Sequence, residues 1–295
     1  NWGYIANDDG LLFGGSVKPG SEYTKFKGTP YWYDSSGTQD TAKVCSDNLF
    51  AIEKQTGSKK WEYSGGKIIN TTIAIGGGRV YFIESNSSSL RNEPTSRIDS
   101  SSLWSSLRLV ALNSQTGAKV WGKSITVNKS PYPVVFFLAQ AKDRLILSYT
   151  TSRYYVDAFS TSNGSKVWSK NHSWNRNHHG GHMYHPMIVG DAVIVEPYGY
   201  RLSNGGTVHR GLPQRGGCST MSASDNTVHY INWDYDKGSM YFWDVDTGKR
   251  RLMVGSRSSC WLSLISGNGM ILSPTASSGC RCRYPIQTSI GFMRR

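Results

Sequence analysis

The sequence predicts an all-β fold, a β-propeller of four-stranded antiparallel blades. Three observations predict it: a repeat that recurs along the chain, paired strand-like runs ahead of each repeat, and the lack of a long stretch with helical periodicity. The repeat segments align without gaps as "LFAIEKQTGSKKW" (49–61), "LVALNSQTGAKVW" (109–121), "VDAFSTSNGSKVW" (156–168) and, degraded, "MYFWDVDTGKRRL" (240–252). A further segment, "YGYRLSNGGTV" (198–208), keeps only the turn.

Each repeat reads as two strands around a polar turn. The turn needs a residue that tolerates positive φ, hence Gly57, Gly117, Gly164, Gly205 and Gly248. Trp61, Trp121 and Trp168 stand at one fixed place in the second strand, where an aromatic serves as a packing wedge between neighbouring sheets. Two more strand-like runs precede each unit, as in "TTIAIGGGRVYFIES" and "PMIVGDAVIVEP". Four strands per repeat of about 40–45 residues is the propeller pattern.

Blades are expected over about 1–66, 67–127, 128–174, 175–216, 217–258 and 259–295, in one domain. The last lacks a clear fourth strand. Either the N-terminal segment completes a six-bladed ring, or further blades, to make seven or eight, lie upstream of Asn1. The absence of a leader favours the upstream blades. Insertions at 18–46 and 85–107, rich in Ser, Gly and basic residues, fall between second and third strands and are candidate binding loops for protein partners.

The pattern A-x-[DEN]-x-x-T-G-x-x-x-W, matched by Ala51–Trp61 and Ala111–Trp121, resembles the repeat of the PQQ-like propellers. That family includes quinoprotein dehydrogenases and the non-catalytic propeller of outer-membrane protein assembly. Ala158–Trp168 departs from the pattern at Ser160 and Asn163. The C-terminal run and the His-rich loop are also similar to exported PQQ-like propellers of planctomycete-type bacteria. The resemblance specifies the fold and leaves the activity open. The sequence carries neither the adjacent Cys pair nor an assignable acidic calcium constellation of the quinone enzymes, which argues against PQQ as a cofactor.

The chain of 295 residues has a formal charge of +13. That balance favours a polyanionic partner such as an acidic glycan, on a basic face rather than a basic tail. No apolar run approaches the roughly 18 residues of a membrane span. No nucleic-acid module, phosphate loop or nucleophile elbow is present; "GKRR" (248–251) is too short to carry a nucleic-acid claim. N-x-S/T sequons start at Asn70, Asn86, Asn128, Asn163 and Asn171, and with clustered cysteines they point to an extracellular or periplasmic protein.

Four of the seven histidines, His178, His179, His182 and His185, crowd the approach to the fourth blade. Together they are candidate ligands for a divalent metal such as Zn. A turn at Gly190-Asp191 sets His185 opposite Glu196 and Tyr198 near Met183, a pair suited to acid/base work. Removal of a uronate C5 proton by β-elimination needs a base, an acid and a cation for the carboxylate. His182, His185, Glu196 and Tyr198 are the candidate catalytic residues, with Arg201, Arg215 and Tyr184 holding substrate. A polar crossing with no chemistry is the competing reading. Cys218, Cys260, Cys280 and Cys282 form either two disulfides or a thiolate metal site; Cys280 and Cys282 are too close in sequence to bridge each other easily. Cys45 is left over, as a lone thiol in an insertion.

Three functional readings follow. The first is an exported propeller that recognises an acidic polysaccharide at the channel mouth, with β-elimination as its chemistry if it is an enzyme. The second is a non-catalytic scaffold that binds protein partners. The third is a metalloprotein with its metal at the His-rich loop.

Overall fold

The computed structural model describes residues 1–21, 42–173, 185–212, 221–232, 239–253, 264–267, 269–274 and 289–293. Every described regular element is a strand or a short 3-10 turn, as an all-β propeller requires. Two compact units divide the chain, Asn1–Trp174 and Asn175–Arg295.

In the first unit, β1 (Trp2–Asp8), β2 (Leu11–Ser16), β3 (Lys43–Glu53) and β4 (Lys59–Ile69) run as an antiparallel meander. The second meander is β5 (Ala74–Gly76), β6 (Arg79–Ser85), β8 (Leu107–Asn113) and β9 (Lys119–Ser124), interrupted by a two-residue β7 (Arg97–Ile98). These join into one nine-stranded sheet, because the tail of β4 pairs with β6 through Lys67↔Ser85 and Ile68↔Glu84. The third meander is β10 (Phe136–Ala141), β11 (Arg144–Thr150), β12 (Arg153–Ser160) and β13 (Lys166–Ser173).

The second unit repeats the plan. Its sheets are β14 (Met187–Val189), β15 (Ala192–Val195), β16 (Tyr198–Arg201) and β17 (Thr207–Arg210), then β18 (Ser222–Ser224), β19 (Thr227–Asn232), β20 (Ser239–Asp244) and β21 (Arg250–Met253). A three-stranded sheet follows, of β22 (Ile265–Gly267), β23 (Met270–Ser273) and β24 (Ile290–Met293). The first strands of these sheets lie side by side, β14 against β18 and β18 against β22. First strands in that position line a propeller's axis.

The repeat motif has a structural cause beyond its turn. In β4, Trp61 pairs with Ala51 and Lys59 with Ile52, so Lys60 is an extra residue, a β-bulge. The same bulge recurs at Val120, Val167 and Val208, one residue before Trp121, Trp168 and His209. The bulged residues turn outwards: Val120, Val167 and Val208 are exposed core-type side chains. The residue opposite each wedge is small, namely Ala51, Ala111, Ala158 and Gly199. The fifth meander has Leu252 in the wedge place, the bulky Phe242 in the small-residue place, and no bulge. Wedge, bulge and small residue therefore come as a set.

The wedge reaches the next blade. The Trp61 indole donates to the Ser114 carbonyl at 2.8 Å, and the Trp121 indole donates to the Thr161 carbonyl at 3.0 Å. Both acceptors belong to the next repeat's turn. A methyl on Gly117 would come 2.7 Å from the Trp61 ring, and one on Gly164 2.6 Å from Trp121. These glycines, at φ +70°, thus meet two demands: a left-handed turn and a seat for the neighbour's indole.

The 85–107 insertion is folded rather than loose. It contains 3-10 turns at Ser88–Leu90 and Ser101–Trp104, and β7 pairs with the start of β3 through Lys43↔Ile98. Leu90, Ile98, Leu103 and Trp104 are buried in one cluster with Cys45 and Ile69. Hydrophobic burial of that extent is incompatible with a purely solvent-facing loop. Cys45 departs from the expected insertion placement: it lies inside β3, fully buried, and burial pushes its thiol up to about 12. It is a free thiol in the core rather than a reactive one.

A comparison of two glycines tests the seam. Gly57 has φ +72° with open space where a methyl would stand, whereas Gly117 has φ +70° with Trp61 in the way. Gly57→Ala is expected to cost about 1 kcal/mol from backbone strain alone. Gly117→Ala is expected to cost that plus about 1–3 kcal/mol of overpacking. Urea unfolding of both variants checks it; equal losses would contradict a seam held by this contact.

Candidate functional site

The approach to the fourth blade is described only in part. His178, His179, His182, Tyr184, Arg215, Cys218, Cys260, Cys280 and Cys282 lie outside the described residues. Among the described residues no group of three or more His, Cys, Asp or Glu is placed to hold a metal. His185, Glu196, Tyr198 and Arg201 are described.

The hairpin turns at Gly190-Asp191, with Met187↔Ile194, Ile188↔Val193 and Val189↔Ala192. The ladder stops at Met187↔Ile194, two positions short of the expected His185–Glu196 pair, so the register does not itself bring these two residues together. His185 is exposed and Glu196 is buried. Met183, expected near Tyr198, lies outside the described residues. The chain reverses at Glu196-Pro197, so Tyr198 opens β16 and pairs with Val195 and Arg210. Proline's fixed φ and missing N–H favour such a turn over a longer strand. Tyr198 stacks on Tyr200 at 6.0 Å between ring centres.

Arg201 is the clearest separation. It pairs with Ala192, beside the Gly190-Asp191 turn, at the opposite end of β16 from Tyr198. Three residues of strand span roughly 10 Å. The register therefore sets Arg201 and Tyr198 at opposite ends of β16, with Glu196 just ahead of the Tyr198 end.

The sequons also divide. Asn70 is buried, and its amide is used at both ends: it accepts from Ser46 Oγ at 2.7 Å and donates to the Gly3 carbonyl at 2.8 Å. It is a structural residue. Asn86, Asn128, Asn163 and Asn171 are exposed.

Sequence reasoning missed a polar cleft of roughly 420 Å³ in the first unit. Asp47, Gly65, Gly66, Lys67, Ser85, Asn86, Ser87, Leu90 and Arg91 line it, where β4 passes to β6 and the insertion begins. Lys67 is ion-paired with Asp47. Behind Gly65 and Gly66 lies the buried Glu84, which accepts from the Gly66 N–H at 2.9 Å and from Tyr63 Oη at 3.0 Å. Burial first, and the Glu84 charge second, push the Tyr63 hydroxyl well above its usual range, so it stays a donor. The sequence signals were the Gly-Gly pair and the insertion, and neither says that they meet.

The insertion wall is pinned in place. Cys45 N–H donates to the Ser96 carbonyl at 2.7 Å, Ser96 N–H to Ser21 Oγ at 2.8 Å, and Lys18 N–H to Ser96 Oγ at 2.9 Å. Lys18 Nζ reaches the Glu93 carbonyl at 2.5 Å. The two insertions are therefore stitched together at their described ends.

Much of the positive charge lies on the last strand of the meanders. Lys59, Lys60, Lys119, Lys123, Lys166, Arg250 and Arg251 are exposed there. Charged side chains on outer strands discourage edge-to-edge aggregation, so this band has a structural use as well.

A further buried group is His229 in β19, at 1% exposure. Its Nδ1 stands 3.4 Å from both Ser222 Oγ and Ser266 Oγ, on β18 and β22, and its Nε2 has no hydrogen-bond partner among the described residues. Burial lowers its pKa to about 4, so the ring is neutral at neutral pH.

The comparisons with known proteins agree with this architecture. The profile of the family described as outer membrane protein assembly factor BamB matches residues 36–253. The chain belongs to this family. BamB from Moraxella catarrhalis is similar in structure, at 15% identity and TM-score 0.51, over 81% of this chain and 70% of that one. So is the computationally designed Ika8 protein, at 12% identity and TM-score 0.50, over 92% of this chain and 80% of that one. A europium-containing methanol dehydrogenase matches at 12% identity and TM-score 0.43, over 76% of this chain and only 53% of its own. At such identities the likeness shows the fold alone. None of the curated proteins matches the chain. No described helix is long and apolar enough to cross a membrane.

In this BamB-family chain the neutral His229 sets a pH dependence. Its folded pKa lies below the ordinary value of 6.5, so the unfolded chain binds the proton more tightly. Stability is then full above pH 6.5 and falls as the pH drops towards about 4. Urea midpoints measured across that window should fall in the native protein and fall less steeply in His229→Asn. Identical slopes would show that His229 is not the group responsible.

Proposed function

We propose that this chain is a non-catalytic scaffold propeller that binds protein partners during assembly at an outer membrane, in an exported, periplasmic setting. The observation that carries this reading is the BamB-family match over residues 36–253. The folded 85–107 insertion supports it, because it supplies a rigid, polar, solvent-facing wall of the kind that holds a partner without the entropic cost of ordering a loop.

A second reading, recognition and β-elimination of an acidic polysaccharide by His182, His185 and Tyr198, is favoured by the charge of +13. The strand register counts against its Arg201 element, which stands at the far end of β16.

One experiment separates the two. A photo-crosslinking residue is placed at position 87, in the cleft wall, and at position 225, at an exposed turn of the second unit. On the scaffold reading, position 87 yields discrete crosslinked proteins in cells that export the chain, position 225 does not, and purified protein generates no ultraviolet-absorbing unsaturated ends from uronate polysaccharides. Unsaturated ends without crosslinked products would overturn the scaffold reading in favour of the lyase.

A further inference from the structure

We propose that the cleft between β4, β6 and the insertion is a carboxylate-binding site, and that its occupant is an acidic side chain of an extended partner segment. The proposal rests on the scaffold reading, and it names what that surface takes.

The floor is made of backbone. A methyl on Gly65 would come 2.5 Å from Tyr63 Oη and 2.6 Å from Glu84 Oε2, and one on Gly66 would collide with Asn86 Oδ1 and the Ser85 carbonyl. The missing side chains make room for Tyr63, Glu84, Ser85 and Asn86 to pack against the floor. The Gly66 N–H is engaged by Glu84, so the floor offers shape while the rim offers donors.

Among the described residues, one cation of the rim has no ion-pair partner. Lys67 is neutralised by Asp47, whereas the Arg91 side chain makes no hydrogen bond or ion pair among the described residues. Asn86 and Ser87 stand beside it, likewise without side-chain hydrogen bonds among the described residues. The lining residues carry Lys67 and Arg91 against Asp47, the Glu84 carboxylate behind the floor is already taken by Tyr63 and Gly66, and the groups left open are a guanidinium fork, a carboxamide and a hydroxyl. This is the donor set that a carboxylate takes, with the fork supplying bidentate geometry.

The site is pre-organised. Arg91 follows the 3-10 turn Ser88–Leu90, whose Leu90 is 1% exposed in the core beside Ile98 and Leu103. The buried anchor holds the backbone under Arg91, so binding orders a side chain and not a loop.

A peptide fits better than an acidic sugar. The nine lining residues include no aromatic ring on which a sugar face could stack. The volume of roughly 420 Å³ suits one or two side chains of an extended segment.

The test uses fluorescein-labelled hexapeptides with a central Glu, the same peptides with Gln, and trigalacturonate as competitor, followed by fluorescence anisotropy with the full chain. The Glu peptides should bind, with the Gln peptides weaker by about tenfold or more. Arg91→Ala should weaken the Glu peptides by a similar factor and Arg91→Lys by less, both with an unchanged thermal unfolding midpoint. Equal binding to native protein and Arg91→Ala would overturn the site, as would equal binding of Glu and Gln peptides or no binding at all. Binding of trigalacturonate that is lost in Arg91→Ala, without peptide binding, would reassign the cleft to an acidic sugar. Failure of every peptide while position 87 still crosslinks to proteins would leave the scaffold reading standing and remove only the carboxylate site.

Discussion

The architecture of the first unit depends on one contact, an indole resting on the turn glycine of the next blade, as Trp61 does on Gly117 and Trp121 on Gly164. Antiparallel sheets of four strands bury too little alone, and a propeller is stable only if neighbouring sheets interlock. Here the interlock has three linked parts. A bulge rotates the outer strand, a small residue across the ladder leaves room, and the indole swings over to donate its N–H to a carbonyl of the next blade's turn. The fifth meander loses all three together, with Leu252, Phe242 and an unbroken ladder.

The fourth blade tests this logic from the other side. It keeps the bulge at Val208 and the small Gly199, but puts His209 where the indole would be. The imidazole stands edge-on to Trp243 of the next sheet, at 5.5 Å between ring centres, and burial lowers its pKa. An aromatic wedge is thus retained in geometry while its chemistry becomes titratable.

The insertion shows how a repeat fold acquires a site. Each blade's own strands are committed to ladders and seams, so new surface has to come from between strands. The 85–107 segment adds a short strand against β3, buries Leu103 and Trp104, and closes one side of the Lys67–Arg91 cleft. Its apolar residues serve as anchors, which leaves its polar residues free to face outwards. A loop built this way is rigid where it matters and variable in chemistry.

The repeats, turn glycines and tryptophans were legible in the chain itself, because each follows from local rules of spacing and backbone conformation. So were the strand pairs and the hairpin at Gly190-Asp191. The bulge before each tryptophan was hidden, since one extra residue in a strand leaves no compositional trace. That hidden residue is why Val120 and Val167, apolar in sequence, are exposed in the fold. Cys45 reads as a leftover in an insertion and belongs to the core, because burial is decided by what packs on a strand and not by the strand's own letters. Arg201 and Tyr198, expected in one site, stand at opposite ends of β16, a spacing that follows from the extended strand they share. The cleft was the least legible of all: Gly65, Asn86 and Arg91 meet only because the tail of β4 crosses to pair with β6. Periodic, local constraints are written along the chain and determined the fold and the family; the site depends on contacts between distant segments, and only tertiary packing decides which of those segments meet.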